Sequence, residues 1–166
     1  LRGEVPLMKR LMLVTVAFTA VAALALSAQK AAPDNNIGTW KLNVAKSTFS
    51  PGPAPKSQTL KIEAWGEDGV KYVSDGVDGE GKTTHWEMQA KYDGKFYAFK
   101  GNPDTDMLAY KRIDANTVEI TTQLAGKPMV TGKVVVSKDG KTRTLTQTGR
   151  NAKGQTVNNV VVYDKQ

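Results

Sequence analysis

The chain has 166 residues, a formal net charge of +7, a single histidine and no cysteine. That length allows one domain and a leader. The lack of cysteine excludes disulfides, thiolate metal sites, cysteine nucleophiles and a lipidated N-terminal cysteine. The positive balance favours anionic partners. The lysines, however, are spread one or two per strand or turn. This argues against a nucleic-acid footprint and fits a Lys-rich β surface that discourages edge pairing.

The first predicted element is a leader. Met8-Lys9-Arg10 is a basic start, Leu11 to Leu26 is apolar and small apart from two threonines, and Ala25-Leu26-Ser27-Ala28 offers small residues for cleavage. These three parts are the signature of a secretory signal peptide. The expectation is a signal peptide over 1–28, with residues 1–7 before the first Met as an upstream extension, then a flexible lead-in over 29–36. The apolar run is shorter than the roughly 20 residues a membrane span needs, so no span is expected after cleavage. Loss of three basic residues and one acidic residue with the leader lowers the charge from +7 to +5. The expected location is periplasmic or extracellular.

From residue 37 to 166 the sequence predicts one all-β domain. Leu60, Ile62 and Ala64 alternate with Lys61 and Glu63. Val70, Tyr72 and Ser74 alternate with Lys71 and Asp75. Thr84, Trp86, Met88 and Ala90 oppose His85, Glu87 and Gln89, and Val118, Ile120, Thr122 and Leu124 oppose Glu119, Thr121 and Gln123. A period of two marks half-buried strands. Asp68-Gly69, Asp93-Gly94 and Asp139-Gly140 break these runs with residues that tolerate positive φ. Strands are expected near 38–43, 57–65, 69–77, 82–91, 95–100, 107–113, 117–124, 129–138, 142–149 and 155–164. At that spacing, with no helix-period segment, they read as an antiparallel meander of about 8–10 strands closed into a small barrel.

Between the first two strands, Pro51-Gly52-Pro53-Ala54-Pro55 must be extended. It reads as a stiff surface connection with Phe49 tucked beneath it, the alternative being a cover over one barrel mouth. Further on, Thr142, Thr144, Thr146 and Thr148 form a polar row opposite Arg143, Leu145 and Gln147. A threonine ladder usually faces water. The other reading is a polar cavity lining in which Arg143 or Arg150 meets an anionic head group.

No catalytic or metal constellation appears. His85 lies opposite Trp86 and Met88 and so points to solvent. No Gly-x-Ser-x-Gly elbow occurs, and Asp75, Asp78 and Glu80 have turn spacing rather than calcium-loop spacing. The chain is therefore not expected to be an enzyme, and neither a metal nor a cofactor is expected.

Ile37-Gly38-Thr39-Trp40-Lys41-Leu42 resembles the first strand of the calycin barrels, the lipocalins and fatty-acid-binding proteins. The closing Val160-Val161-Val162-Tyr163-Asp164-Lys165 is similar to the last strand of the fatty-acid-binding branch. The resemblance implies a barrel whose Trp plugs the closed end. It departs in the Pro-rich loop, which stands where that branch has a helical lid, and in lacking that branch's carboxylate-gripping Arg and Tyr at matching spacing. The chain also resembles secreted bacterial proteins with a Trp-Lys-Leu-Asn start, a resemblance that implies no function.

Such a barrel is expected to hold a small hydrophobic or amphipathic ligand between Trp40, Trp86, Met88, Phe99 and Tyr110. The alternative is a structural or protein-interaction domain of the cell envelope. Its filled core would leave no cavity of roughly 300 Å³, the lower end for ligand pockets.

Overall fold

The computed structural model describes residues 34–166. The expected leader and the first part of the lead-in lie outside the described residues. Ten strands follow in order: β1 (Gly38–Leu42), β2 (Ser57–Ala64), β3 (Gly69–Val77), β4 (Thr83–Lys91), β5 (Asp93–Lys100), β6 (Met107–Arg112), β7 (Thr117–Leu124), β8 (Lys127–Val136), β9 (Thr142–Arg150) and β10 (Thr156–Lys165). Each pairs antiparallel with its chain neighbour, and β1 also pairs with β10, so the sheet closes into a barrel. Closure leaves no free edge.

The alternation read from sequence becomes inside and outside. Leu60, Ile62, Val70, Tyr72, Met88, Ala90, Val118, Ile120, Val134 and Val136 are all buried, while their sequence neighbours Lys61, Lys71, Gln89 and Glu119 are exposed. Turn chemistry supplies the reversals: Asp68, Gly94 and Gly140 have φ of 52°, 77° and 70°, angles that Gly and Asp reach at least cost.

Two ladders are irregular. β5 shifts register against β6 between Asp93 and Phe96. Beyond the shift, Phe96 and Phe99 are three residues apart and so fall on opposite faces, Phe96 exposed and Phe99 buried. β7 bulges against β8 between Thr121 and Gln123. Thr122 splices that bulge: its Oγ1 accepts from the Val130 amide at 3.0 Å and donates to the Val130 carbonyl at 3.3 Å.

The Pro-rich segment is not the plain surface connection favoured above. After a 3-10 turn over Val44–Lys46, Thr48 exchanges both backbone hydrogen bonds with Val160, at 2.7 and 2.9 Å, and Ser50 O accepts from Asn158 N at 2.8 Å. This extra pairing along β10 carries the chain to the barrel mouth, where Phe49, Pro53 and Pro55 border the interior space. Gly79, in the β3–β4 turn, has no side chain where Pro53 lies; any Cβ there would collide with the ring.

Candidate functional site

The strands enclose a cavity of about 280 Å³. Its walls are mostly apolar, with Trp86, Met88, Phe99, Leu108 and Ile120 among them, and Phe49, Pro53 and Pro55 roof it. Phe99 is the hub of the aromatic wall: Tyr72 and Trp86 meet it edge-on, with centroids at 6.1 and 6.2 Å and interplanar angles of 73° and 76°. Such geometry sets ring edges against the negative face of the hub.

Two charged residues border the cavity, at opposite ends. At the mouth, Asp104 Oδ1 accepts from the Ala152 amide at 2.8 Å and ties two loops together. At the closed end stands Arg143, only 2% exposed. Its Nε donates to Asn36 Oδ1 at 2.8 Å, and its guanidinium lies 5.5 Å from the Tyr163 ring centroid. Beside it, the Tyr163 hydroxyl donates to Gln58 Oε1 at 2.6 Å, and Gln58 Nε2 donates to Ser74 Oγ at 2.8 Å. Burial pushes the Tyr163 phenol up to about 12, against the lowering pull of Arg143. Burial also raises the Tyr72 and Tyr110 phenols, and Arg143 again opposes the shift.

Below the cavity, residues expected in a flexible lead-in are built into the barrel. Asn36 is 4% exposed. Its Nδ2 donates to the Tyr92 hydroxyl at 3.1 Å, and that hydroxyl donates to Asp34 Oδ2 at 2.7 Å. The guanidinium of Arg112 stacks 3.9 Å over the Tyr92 ring and pairs with Asp34 and Asp68 at 3.3 and 3.1 Å. Asn36 thus satisfies Arg143 on one side and Tyr92 on the other. Replacing it by Ala leaves Arg143 Nε and the Tyr92 hydroxyl short of partners in a buried place. The expected cost is about 1–3 kcal/mol, measured as a shift in urea midpoint without a change in slope. An unchanged midpoint would contradict this closure.

Of the residues expected to hold a ligand, Trp86, Met88, Phe99 and Tyr110 border the cavity together. Trp40 does not. It is fully buried at the closed end, opposite Leu60 and Lys165, where its Nε1 donates to Asn36 O at 2.9 Å and Lys165 Nζ sits 5.0 Å over its ring. A strand of five residues that begins just above the floor cannot lift its third residue into the cavity.

The sequence reading missed Tyr72, Gln58 and Tyr163 as lining residues. Their signal was present, as polar or amphipathic members of inward faces. Arg143 stood only as the less favoured choice: the threonine row faces outward, so Arg143, Leu145 and Gln147 point in. Arg150 is exposed and donates to Gly154 O at 2.8 Å. His85 lies on the outer surface, 2.7 Å from Asp75 Oδ1, a bond that raises its pKa. Asp78 Oδ1 accepts from the amides of Glu80 and Lys82 at 2.9 and 2.8 Å, as a turn residue does. Among the described residues no group of three or more His or carboxylate side chains is placed to hold a metal, and no helix is long and apolar enough to cross a membrane.

No protein-family model matches the sequence, and no curated protein is similar to it. A solved structure shares the fold. The wild-type fluorescent protein UnaG is 15% identical with a TM-score of 0.52, the match covering 80% of this chain and 98% of that one. The zebrafish ileal bile acid-binding protein, solved with cholic acid, is 11% identical with a TM-score of 0.47, covering 80% and 99%. The closed ten-strand antiparallel barrel described here is a calycin-like barrel.

Proposed function

We propose that this domain is an exported binding module rather than an enzyme, and that it holds a small apolar or amphipathic molecule inside the barrel. The observation that supports this reading is the unfilled interior. Protein cores are close-packed, with few voids larger than a water. Here about 280 Å³ stays open behind the Pro-rich roof, at the lower edge of the range for small-molecule pockets. Aromatic and methionine walls suit an apolar guest. Among the described residues the one acid on the lining, Asp104, accepts a hydrogen bond from a backbone amide.

The test separates an open interior from a filled one. Leu145 is half-buried and borders the cavity. Leu145→Trp adds volume that a filled core would reject at about 1–3 kcal/mol. An open cavity accepts it. The expected result is a melting temperature within a few degrees of wild type and loss of binding of the neutral dye 1-aminoanthracene. In the parent protein the dye is expected to quench Trp86 emission, and Trp86→Phe to remove that response. A parent protein that binds no dye, or a Leu145→Trp protein that binds it unchanged, would refute the reading.

A further inference from the structure

We infer that the guest of this barrel carries a planar cis-amide edge, as a lactam or a cyclic imide does, read by the carboxamides of Gln147 and Asn159. The inference rests on the binding reading above and adds the chemical class of the guest and its orientation.

The two carboxamides stand side by side on the inner wall. Gln147 of β9 and Asn159 of β10 are cross-strand partners, and both border the cavity. Asn159 interrupts an otherwise apolar inward row, between the buried Val157 and Val161. Asn is disfavoured in strands, and a polar group on an inner wall costs free energy unless it is hydrogen-bonded. The fold makes room for Gln147. Its partner on the other side is Gly132, where an added Cβ would press on the Thr146 carbonyl and come within 3.3 Å of the Gln147 Cγ.

The protein uses only part of the hydrogen-bonding capacity of this pair. Asn159 Oδ1 accepts at 2.9 Å from Ser50 N, where the Pro-rich roof begins. That bond fixes which way the carboxamide faces, since an N–H needs an acceptor. Among the described residues, Asn159 Nδ2 and the Gln147 side chain make no hydrogen bond to protein, and no walled-in polar side-chain atom is unpaired. These groups are therefore reached from the cavity they line. Together they present a donor, an acceptor and a donor: Asn159 Nδ2, Gln147 Oε1 and Gln147 Nε2. A lactam matches the Gln147 pair, because its N–H and C=O lie on one side of the amide. A cyclic imide adds a second carbonyl for Asn159 Nδ2. An ordinary peptide bond does not match one carboxamide, because it is trans and its N–H and C=O point to opposite sides.

Strand order sets the orientation. In the closed ring of ten, β9 is five strands from β4, and β10 five from β5, in either direction. The carboxamides thus face Trp86 and Met88 on β4 and Phe99 on β5 across the cavity. Trp86, Gln147 and Asn159 are each the fourth residue from the mouth end of their strands. Phe99 holds Trp86 edge-on. A flat ring system therefore lies against the aromatic wall with its amide edge toward β9 and β10.

The test is fluorescence titration at neutral pH with 1,8-naphthalimide and N-methyl-1,8-naphthalimide. The second compound keeps the rings and both carbonyls and loses the N–H. Wild type is expected to bind the first at least about tenfold more tightly, because N-methylation leaves Gln147 Oε1 unpaired. Gln147→Met keeps the length of the side chain and is expected to bring the two compounds level. Asn159→Asp keeps the acceptor for Ser50 N and removes the donor. It is expected to weaken both compounds severalfold and keep the preference. Gln89→Met removes an exposed carboxamide from the outer face of β4 and is expected to change neither affinity. Circular dichroism verifies that the variants fold, and the wild-type comparison stands without them. Equal binding of the two compounds by wild type, a preference that survives Gln147→Met, affinities untouched by Asn159→Asp, or binding of neither compound would each overturn the inference. In those cases 1-aminoanthracene would still bind and the broader reading would stand. If the dye and both compounds fail to bind, both fall.

Discussion

Raising the pH beyond about 10 is expected to unfold this barrel steeply. Of its five tyrosines, Tyr72, Tyr110 and Tyr163 are buried in the interior, and Tyr92 is buried at the closed end. Burial is the largest cause of the raised pKa of each, because it disfavours the charged phenolate. A phenol whose folded pKa is raised contributes stability that is whole below its unfolded value near 10. That contribution is lost as the pH climbs through the folded value. For Tyr163 the window runs from about 10 to about 12, a difference of two units worth roughly 3 kcal/mol. The other three act in the same direction. Against a typical domain stability of about 5–15 kcal/mol, the Tyr163 contribution alone is a large fraction. Tyrosinate absorbance should lag in the folded protein and then rise cooperatively with the loss of near-ultraviolet circular dichroism. Independent ionisation of four phenols near pH 10 with the sheet intact would show that they are not buried as described. Tyr163→Phe costs about 1 kcal/mol at neutral pH, since Gln58 loses a donor, but should move the alkaline midpoint upward.

The second large effect is at Trp40. Trp40→Ala is expected to cost about 3–5 kcal/mol, the range for truncating a buried large aromatic. The loss has three parts. The indole is fully buried, its N–H satisfies Asn36 O, and its ring carries Lys165. The location magnifies the effect. β1 has five residues and is the strand that joins β2 to β10, so barrel closure depends on how firmly this short segment is held. Trp40→Phe should recover most of the apolar contact and lose chiefly the hydrogen bond, at about 1 kcal/mol. Urea unfolding followed by far-ultraviolet circular dichroism measures both. A loss below about 1 kcal/mol for Trp40→Ala would mean that the closed end is held by something other than this side chain. The same variant should leave the walls at Trp86, Met88 and Phe99 in place, because Trp40 does not border the cavity.

Most of the strands were legible because alternation and turn residues are local properties. The run Thr84-His85-Trp86-Glu87-Met88-Gln89-Ala90 states its own period, and Asp139-Gly140 states its own reversal. β5 was harder to read. Its aromatics alternate onto both faces, Phe99 inward and Phe96 outward, so residue type alone does not say which face is the core. Trp40 was grouped with the ligand-lining aromatics on residue type. Its depth in the barrel depends on how β1 is staggered between β2 and β10, and only the resemblance of Gly38-Thr39-Trp40 to the first calycin strand pointed to the closed end.

The lead-in shows the same limit from the other side. Asp34 and Asn36 look like ordinary polar residues before a strand. They become structural because Tyr92, Arg112 and Arg143, each distant in sequence, present partners at the closed end. The Pro-rich loop was read as a plain surface connection, and its place over the mouth depends on Thr48 and Ser50 pairing with β10.

By itself, then, the order of residues determined the strands, their turns and which side chains share a face, since a period of two depends only on neighbours in the chain. Only the tertiary structure decided which face of β9 looks inward, and so whether Arg143 meets water or lines an apolar chamber. Two opposite faces of a single strand are equivalent until other strands close around one of them. Here the joining of β1 to β10 turned Arg143 toward the cavity and left the threonines outside.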